Sequence, residues 1–365
     1  MAQYIDFKPN EYFSTIKYTG DGGATRAITG VGFQPDFLWC KVNTTRQHYL
    51  CNSVIGSTYN VDSDRNNAEV NDTTGITGFD ADGFSIGSDT NGELNDSGTI
   101  QASWCWKMGT TSGLTGGTIT PSGYSINTTA CQGVYAYTGT GANATIAHGL
   151  GKVPTLIWVK CRSNSADWSV YNGTVGYNSG ATTAAGYLDA TLNDSNARTT
   201  SSTMWNNTDA TSTLFTVGTE TQTNNTAYTY IAYVFCDVPG YCLNGQYRGN
   251  GNADGPLIYT GFEPAFIIVK NRDSGGPANY GWAMYQNTFG MVGAAATHGF
   301  NVLEDTFYAD QATGAQTTCK VDFNSIGFKF RESTADSNQS SSSFLFTAFA
   351  AQPIVGKNKN PGMAR

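Results

Sequence analysis

GFQPDFLWCK, residues 32–41, returns as GKVPTLIWVK at 151–160 and as GFEPAFIIVK at 261–270. The proline, the apolar run and the closing lysine recur at Pro35/Lys41, Pro154/Lys160 and Pro264/Lys270, with Trp39 and Trp158 inside the first two runs. Each run is almost continuously apolar, which marks a strand buried on both faces rather than one with a solvated side. Proline is tolerated at the start of such a strand, where no N–H need enter the ladder.

Working outward, each proline is preceded by a Tyr-x-Gly-x-Gly string beginning at Tyr18, Tyr137 or Tyr247, and the interval from tyrosine to proline is seventeen residues every time. Glycines 22 and 32 and their equivalents are expected at positive φ, where a Cβ would be penalised. Downstream come HYLCNSVIG (48–56), WSVYNGTVG (168–176) and WAMYQNTFG (282–290), which align His48 with Trp168 and Trp282. Short alternating runs follow at Phe84-Ser-Ile86, Phe215-Thr-Val217 and Phe328-Lys-Phe330. The unit closes with ASWCWK, AYVFCD and FTAFAA, which carry Trp106, Phe235 and Phe349.

A repeat of roughly 90–110 residues is large enough to hold its own core, unlike the short repeats of solenoids. Gly-rich turns flank strand-like runs, and no 3,4-spaced apolar pattern persists for three turns. The expected fold is all-β: three tandem β-sandwich domains with very little helix and seven or more strands each. The expected boundaries are a docking segment at 1–14, sandwiches at 15–107, 134–238 and 239–352, a linker at 108–133 and a tail at 353–365. The matched Tyr18, Pro35, Trp39, Trp106, Tyr137, Pro154, Trp158, Trp168, Phe235, Tyr247, Pro264, Trp282 and Phe349 are assigned to the repeat interiors. The short connection before Tyr241 predicts that the second and third domains pack together, and the linker leaves a hinge between the first and second.

The 365 residues include 43 glycines, only 13% charged residues and a net charge of −8. No cluster of Lys and Arg supplies the positive field that a phosphate backbone requires, so nucleic-acid binding is disfavoured. No apolar run approaches the ~18 residues of a membrane span, and MAQYIDFKPNEYF lacks the basic and apolar regions of a secretory signal. Eight cysteines without paired C-x-x-C spacing, several of them in apolar runs, read as reduced and structural.

Chemistry is sparse. Of the three histidines, His48 stands where the other copies have Trp and reads as a packing position, His148 sits in the turn before a strand, and His298 is isolated. No nucleophile elbow, zinc motif or phosphate loop is present, and no metal or cofactor is expected. Asp62-Ser-Asp64-Arg-Asn66 resembles the opening of a calcium loop but has Asn67 at the glycine position and Thr73 at the glutamate position, so it reads as a solvated loop. FDADGF (79–84) reads as a hairpin turn. Aromatics beside Asn and Asp can stack on sugar rings. Trp205, which has no partner in the other copies, together with Tyr177 and Tyr280, provides the candidates for glycan contact.

Taken together, the Tyr-x-Gly-x-Gly strings, the Gly-Phe-x-Pro runs, the opening IDFKPNEYF and the stretch from AYVFCDVPGYC to IIVKNRD resemble the tandem-repeat, tail-fibre-like virion proteins of marine tailed bacteriophages; HYLC departs from their pattern. The resemblance implies a non-enzymatic structural protein of the tail or its fibres, made in the host cytoplasm and exposed on the virion. The implied partners are other virion proteins, copies of itself in a homotrimer or other symmetric homo-oligomer, and a host-surface glycan. A capsid decoration protein on the phage head is the alternative. The family offers no catalytic or cofactor-binding residues.

Overall fold

The computed structural model describes residues 8–173, 188–275, 280–288, 301–317 and 320–351. The chain is nearly all β, and among the described residues the helical elements are the short turns Pro9–Glu11 and Thr221–Asn224. Tyr177, His298 and the expected tail 353–365 lie outside the described residues.

Three large antiparallel sheets repeat one strand order. In the first, Phe13–Thr19 pairs with Ile100–Trp106, which pairs with Phe37–Val42, which pairs with Tyr49–Asn52. The second places Gln132–Thr138, Thr229–Phe235, Leu156–Cys161 and Ser169–Asn172 in the same sequence. The third does so with Cys242–Arg248, Ser343–Ala350, Pro264–Asn271 and Ala283–Gln286. Register matches as well, since Phe37 faces Trp106, Leu156 faces Phe235 and Phe266 faces Phe349. Each large sheet has a small companion, formed by Arg26–Thr29 with Gly83–Ile86, Ala144–Ala147 with Leu214–Val217, and Leu257–Tyr259 with Gly327–Phe330.

The continuous apolar strands have a direct cause. Along Phe37–Val42, Phe37 and Trp39 turn toward one hydrophobic cluster and Leu38 and Cys40 toward another. In the third sheet, Phe266 and Ile268 point one way and Ile267 and Val269 the other. A strand alternates its side chains between its faces, so a strand with two buried faces must be apolar at every position. One face meets the small sheet; the other meets the large sheets of the neighbouring units.

The interiors are therefore not three separate ones. The closing residues Trp106, Phe235 and Phe349 touch pairwise, with ring centroids 6.2 Å (Trp106–Phe235), 5.5 Å (Trp106–Phe349) and 5.5 Å (Phe235–Phe349) apart. Around this triangle, Trp39 meets Trp158, Phe37 meets Tyr233 and Trp104 meets Phe266. These cross-unit contacts leave no free hinge between the first two units, contrary to expectation, because the aromatic faces that would have to separate are buried against each other.

Other expectations are corrected locally. The docking segment gives way to strand at Phe13, whose ring stacks on Phe349. Within the expected linker, Gly123–Asn127 adds a strand to the second large sheet. Cys131 and Cys236, expected to be reduced, are joined as a disulfide with Cα atoms 5.5 Å apart at facing ends of neighbouring strands. Cys40, Cys51, Cys105, Cys161 and Cys242 are free and buried. Glycines 22, 141 and 251 and glycines 32, 151 and 261 all take positive φ, and Asp80 faces Gly83 across the hairpin read from FDADGF.

Candidate functional site

The repeat lysines define the contacts between units. Lys41, Lys160 and Lys270 are fully buried, and each ammonium donates to backbone carbonyls of its own unit and of one neighbour. Lys41 Nζ donates to Val42 and Thr44 in the first unit and to Ala312 O, at 3.4 Å, in the third. Lys160 Nζ donates to Ala166 O at 2.7 Å and to Asn66 O of the first unit at 3.0 Å. Lys270 Nζ donates to Asn271 O and Tyr280 O and to Ser195 O of the second unit at 3.0 Å. Burial pushes each of the three down to about 8.

The aligned position His48/Trp168/Trp282 repeats this geometry. Trp168 Nε1 donates to Asp62 O and Trp282 Nε1 to Thr191 O, both at 2.8 Å, and His48 Nε2 lies 2.9 Å from Tyr308 O. Trp39 Nε1 donates to His48 Nδ1, so Nε2 carries the proton and donates to Tyr308. Burial holds His48 well below its ordinary value and therefore neutral. A backbone pairing completes each joint: Glu69 N donates to Arg162 O, Arg198 N to Arg272 O and Ala315 N to Asn43 O. The loop after each unit's middle strands is thus clasped by the next unit, and the third unit's loop by the first, so the contacts close into a ring.

Asp62–Asn66 is one of these loops rather than a solvated one. Its Ser63 hydroxyl donates to Ala309 O at 2.6 Å, and burial pushes the Asp62 carboxyl up to about 6. The loop looked solvated because its side chains are polar, but its backbone carbonyls and the Ser63 hydroxyl meet the neighbouring units. Beside it, Arg162 grips Glu69 in a two-pronged ion pair at 2.6 and 2.9 Å.

A second matched device holds the Gly-rich loops. Asn95, Asn224 and Asn338 are buried; their side-chain oxygens accept from Asp21 N, Thr140 N and Asn250 N, and their amides donate to Gly23 O, Ala142 O and Asn252 O. Tyr18, Tyr137 and Tyr247 donate to the carbonyl of the residue just before each asparagine. Sequence reasoning missed these asparagines, although each stands eleven residues before Trp106, Phe235 or Phe349.

The glycan candidates fare unevenly. Trp205 is 1% exposed and packs edge-on against Tyr171, so it cannot stack on a sugar; the unmatched tryptophan fills an interior that the other units fill differently. Tyr280 is half-buried with its carbonyl engaged by Lys270. The residues assigned to interiors are buried, apart from the half-buried Tyr247. His148 is locked between Leu150 N and Thr211 O. Among the described residues no group of three His, Cys, Asp or Glu side chains could hold a metal, and no helix is long and apolar enough to cross a membrane. The exposed large apolar side chains include Leu257 and Tyr259, on the small sheet of the third unit, and Ile326, in the turn joining that sheet's other two strands.

Fold and joints together define a class: a single-chain ring of three β units locked by buried lysines around one aromatic core. The chain belongs to a family described as a domain of unknown function, DUF7483, which matches residues 8–353 and so takes in all three units at once. No curated protein and no solved structure matches it.

Proposed function

We propose that the chain is a non-enzymatic structural component of a bacteriophage virion, associated with the tail or its fibres and contributing to host-surface attachment. The observation that carries this reading is the fate of the repeated polar residues. Lys41, Lys160 and Lys270 spend their hydrogen bonds on backbone carbonyls of the ring, and the three asparagines on the backbone and side chains of the loops they hold. Chemistry would require some of them poised toward an open cleft, whereas a scaffold requires them where they are. The resemblance in sequence supplies the virion assignment. The ring also places within one chain a threefold arrangement that fibres otherwise obtain from three chains, and it suits a particle axis of that symmetry.

Imaging intact particles carrying a label on the C-terminus tests the reading. Label on the tail or fibres supports it. Label spread over the head replaces it with the decoration role, and its absence from purified particles removes the virion assignment altogether.

A further inference from the structure

The three joints share one backbone pairing but carry different charges across it. Because Glu69 N donates to Arg162 O, Arg198 N to Arg272 O and Ala315 N to Asn43 O, Glu69, Arg198 and Ala315 occupy one position of the ring, and Arg162, Arg272 and Asn43 the facing one. The chain gives the same alignment. Asn43, Arg162 and Arg272 each stand two residues after a repeat lysine, and Glu69 and Arg198 each immediately precede a short strand, Val70–Asn71 or Thr199–Thr200.

Between the first and second units the pairing is balanced: the Glu69 carboxylate accepts from Nε and Nη2 of Arg162 with both of its oxygens. Between the third and first, Ala315 and Asn43 bring no charge. Between the second and third, the carboxylate's position holds a second arginine, so Arg198 faces Arg272.

Arg272 is 6% exposed and spends part of its fork inside its own unit. Its Nη1 donates to Gln246 Oε1, and its Nε lies 3.4 Å from Asp273 Oδ1. The other Asp273 oxygen accepts Ser343 N at 2.9 Å. Across the joint the backbones are in contact, since a Cβ on Gly275 would sit 2.2 Å from Ala197 N. Among the described residues, no acceptor pairs with Arg272 Nη2 and none with the half-buried guanidinium of Arg198. Burial, and after it the Arg272 charge, push Arg198 below its ordinary value, and Asp273 offsets them in part. Two guanidiniums against one carboxylate leave this joint with surplus positive charge partly withdrawn from water, an arrangement that is costly without a counter-charge.

We propose that Arg198 and Arg272 together bind a carboxylate that the chain does not itself supply, seated at the joint of the second and third units as the Glu69 carboxylate is at the joint of the first and second. Guanidinium presents its donors in a planar fork that matches the two oxygens of a carboxylate. With the ligand in place the joint holds two positive and two negative groups, counting Asp273. The ligand is a free organic acid or the carboxylate of a sugar acid, which offer the same two oxygens. The site does not depend on the virion reading.

Titration calorimetry of the full chain with sodium acetate and with sodium glucuronate, at an ionic strength held constant with chloride, tests the site. Saturable binding of one carboxylate per chain is expected, together with a urea midpoint that rises with carboxylate concentration, because a ligand bound only by the folded chain stabilises it. Arg198→Gln should weaken binding about tenfold or more. Arg198→Glu brings to this joint the pair that Glu69 makes with Arg162, so it should abolish binding and raise the urea midpoint in chloride above that of wild type. Neither substitution removes a described hydrogen bond of the Arg198 side chain, and an unchanged far-ultraviolet circular dichroism spectrum shows that both variants fold. Equal affinity for the two probes identifies a free acid as the ligand and tighter binding of glucuronate a sugar acid; both results uphold the site. Absence of carboxylate binding against the chloride control overturns the proposal, and so does binding that Arg198→Glu retains.

Discussion

The imidazole of His48, just before the strand Tyr49–Asn52 of the first large sheet, donates from Nε2 to the carbonyl of Tyr308 on the third, 2.9 Å away, and accepts the indole N–H of Trp39 at Nδ1. Histidine thus reproduces the bond that Trp168 and Trp282 make at the other two joints, and it does so where no covalent connection joins the units.

His48→Ala orphans the buried Trp39 indole N–H, while the Tyr308 carbonyl keeps the Gln311 N–H, so urea unfolding should show a loss of about 1–3 kcal/mol. His48→Gln, whose amide can both accept and donate, should lose less. The pH dependence has a defined sign. The folded-state value is depressed, so the unfolded chain takes up the proton first and the His48 contribution is present above about 6.5 and lost as pH falls below it. Wild-type stability minus that of His48→Gln should therefore shrink from pH 7 to pH 5; a constant difference would show that His48 is not the group responsible.

The three joints are alike in hydrogen bonding but not in connectivity. The first and second units are linked through 107–131 and the second and third through 236–241, whereas the joint made by Lys41 with Ala312 rests on non-covalent contacts. Lys41→Met should consequently speed amide exchange at 43–46 and 312–315 more than Lys160→Met speeds it at 66–69. Each lysine is held near 8, below the ordinary value of 10.5, so the cost of burying its charge fades as pH rises from 8 toward 10. The stability of wild type relative to Lys41→Met should increase over that interval, measured by urea titration at each pH.

How much of this was legible in the sequence depends on which physical quantity was being read. Strand identity and the positive-φ glycines were readable because they are local: Gly22 or Gly151 needs a backbone conformation that its own neighbours specify. The partner across a buried face is not local. DFLWCK is equally apolar whether Phe37 and Trp39 face a second sheet of the same unit or the strands of another, so the shared core was invisible. Trp205 misled for a related reason, since lack of a repeat counterpart signals a difference between units without saying whether it is outside or inside. The Cys131–Cys236 pair escaped because 105 residues separate it, and only the strand pairing brings its ends together. The buried asparagines were recoverable from their fixed spacing to the closing aromatic, a signal weaker than the glycine strings beside it.

The first glycine of each Tyr-x-Gly-x-Gly string is a packing requirement. A Cβ on Gly20, Gly139 or Gly249 would sit 2.1–2.2 Å from the backbone carbonyl of Asp96, Asn225 or Gln339. Something in the backbone must shift, and the asparagine that holds the loop shifts with it. Gly139→Ala should cost about 3 kcal/mol or more, in the range of overpacking and broken buried networks. Gly30→Ala, at φ +92 with nothing within 4 Å, bears only the conformational penalty of about 1 kcal/mol. Equal losses at the two sites in thermal or urea unfolding would show that the close approach does not govern the loop.

The triangle of Trp106, Phe235 and Phe349 makes the strongest demand on how the molecule unfolds. Phe349 is fully buried and touches Phe13 and Trp106 of the first unit, Phe235 of the second, and Phe266 and Tyr241 of its own. Phe349→Ala removes a ring from the place where three sheets meet, and a cost of about 3–5 kcal/mol is expected for a buried Phe. If each unit held its own core, that loss would fall on the third unit, and the first two would keep their exchange protection. With a shared core the cost falls on one cooperative transition. Amides in Phe37–Val42, Leu156–Cys161 and Pro264–Asn271 should all lose protection by a similar factor, and denaturation followed by tryptophan fluorescence and by far-ultraviolet circular dichroism should coincide. Protection lost in the third sheet alone would mean that the aromatic triangle is a contact between independent domains.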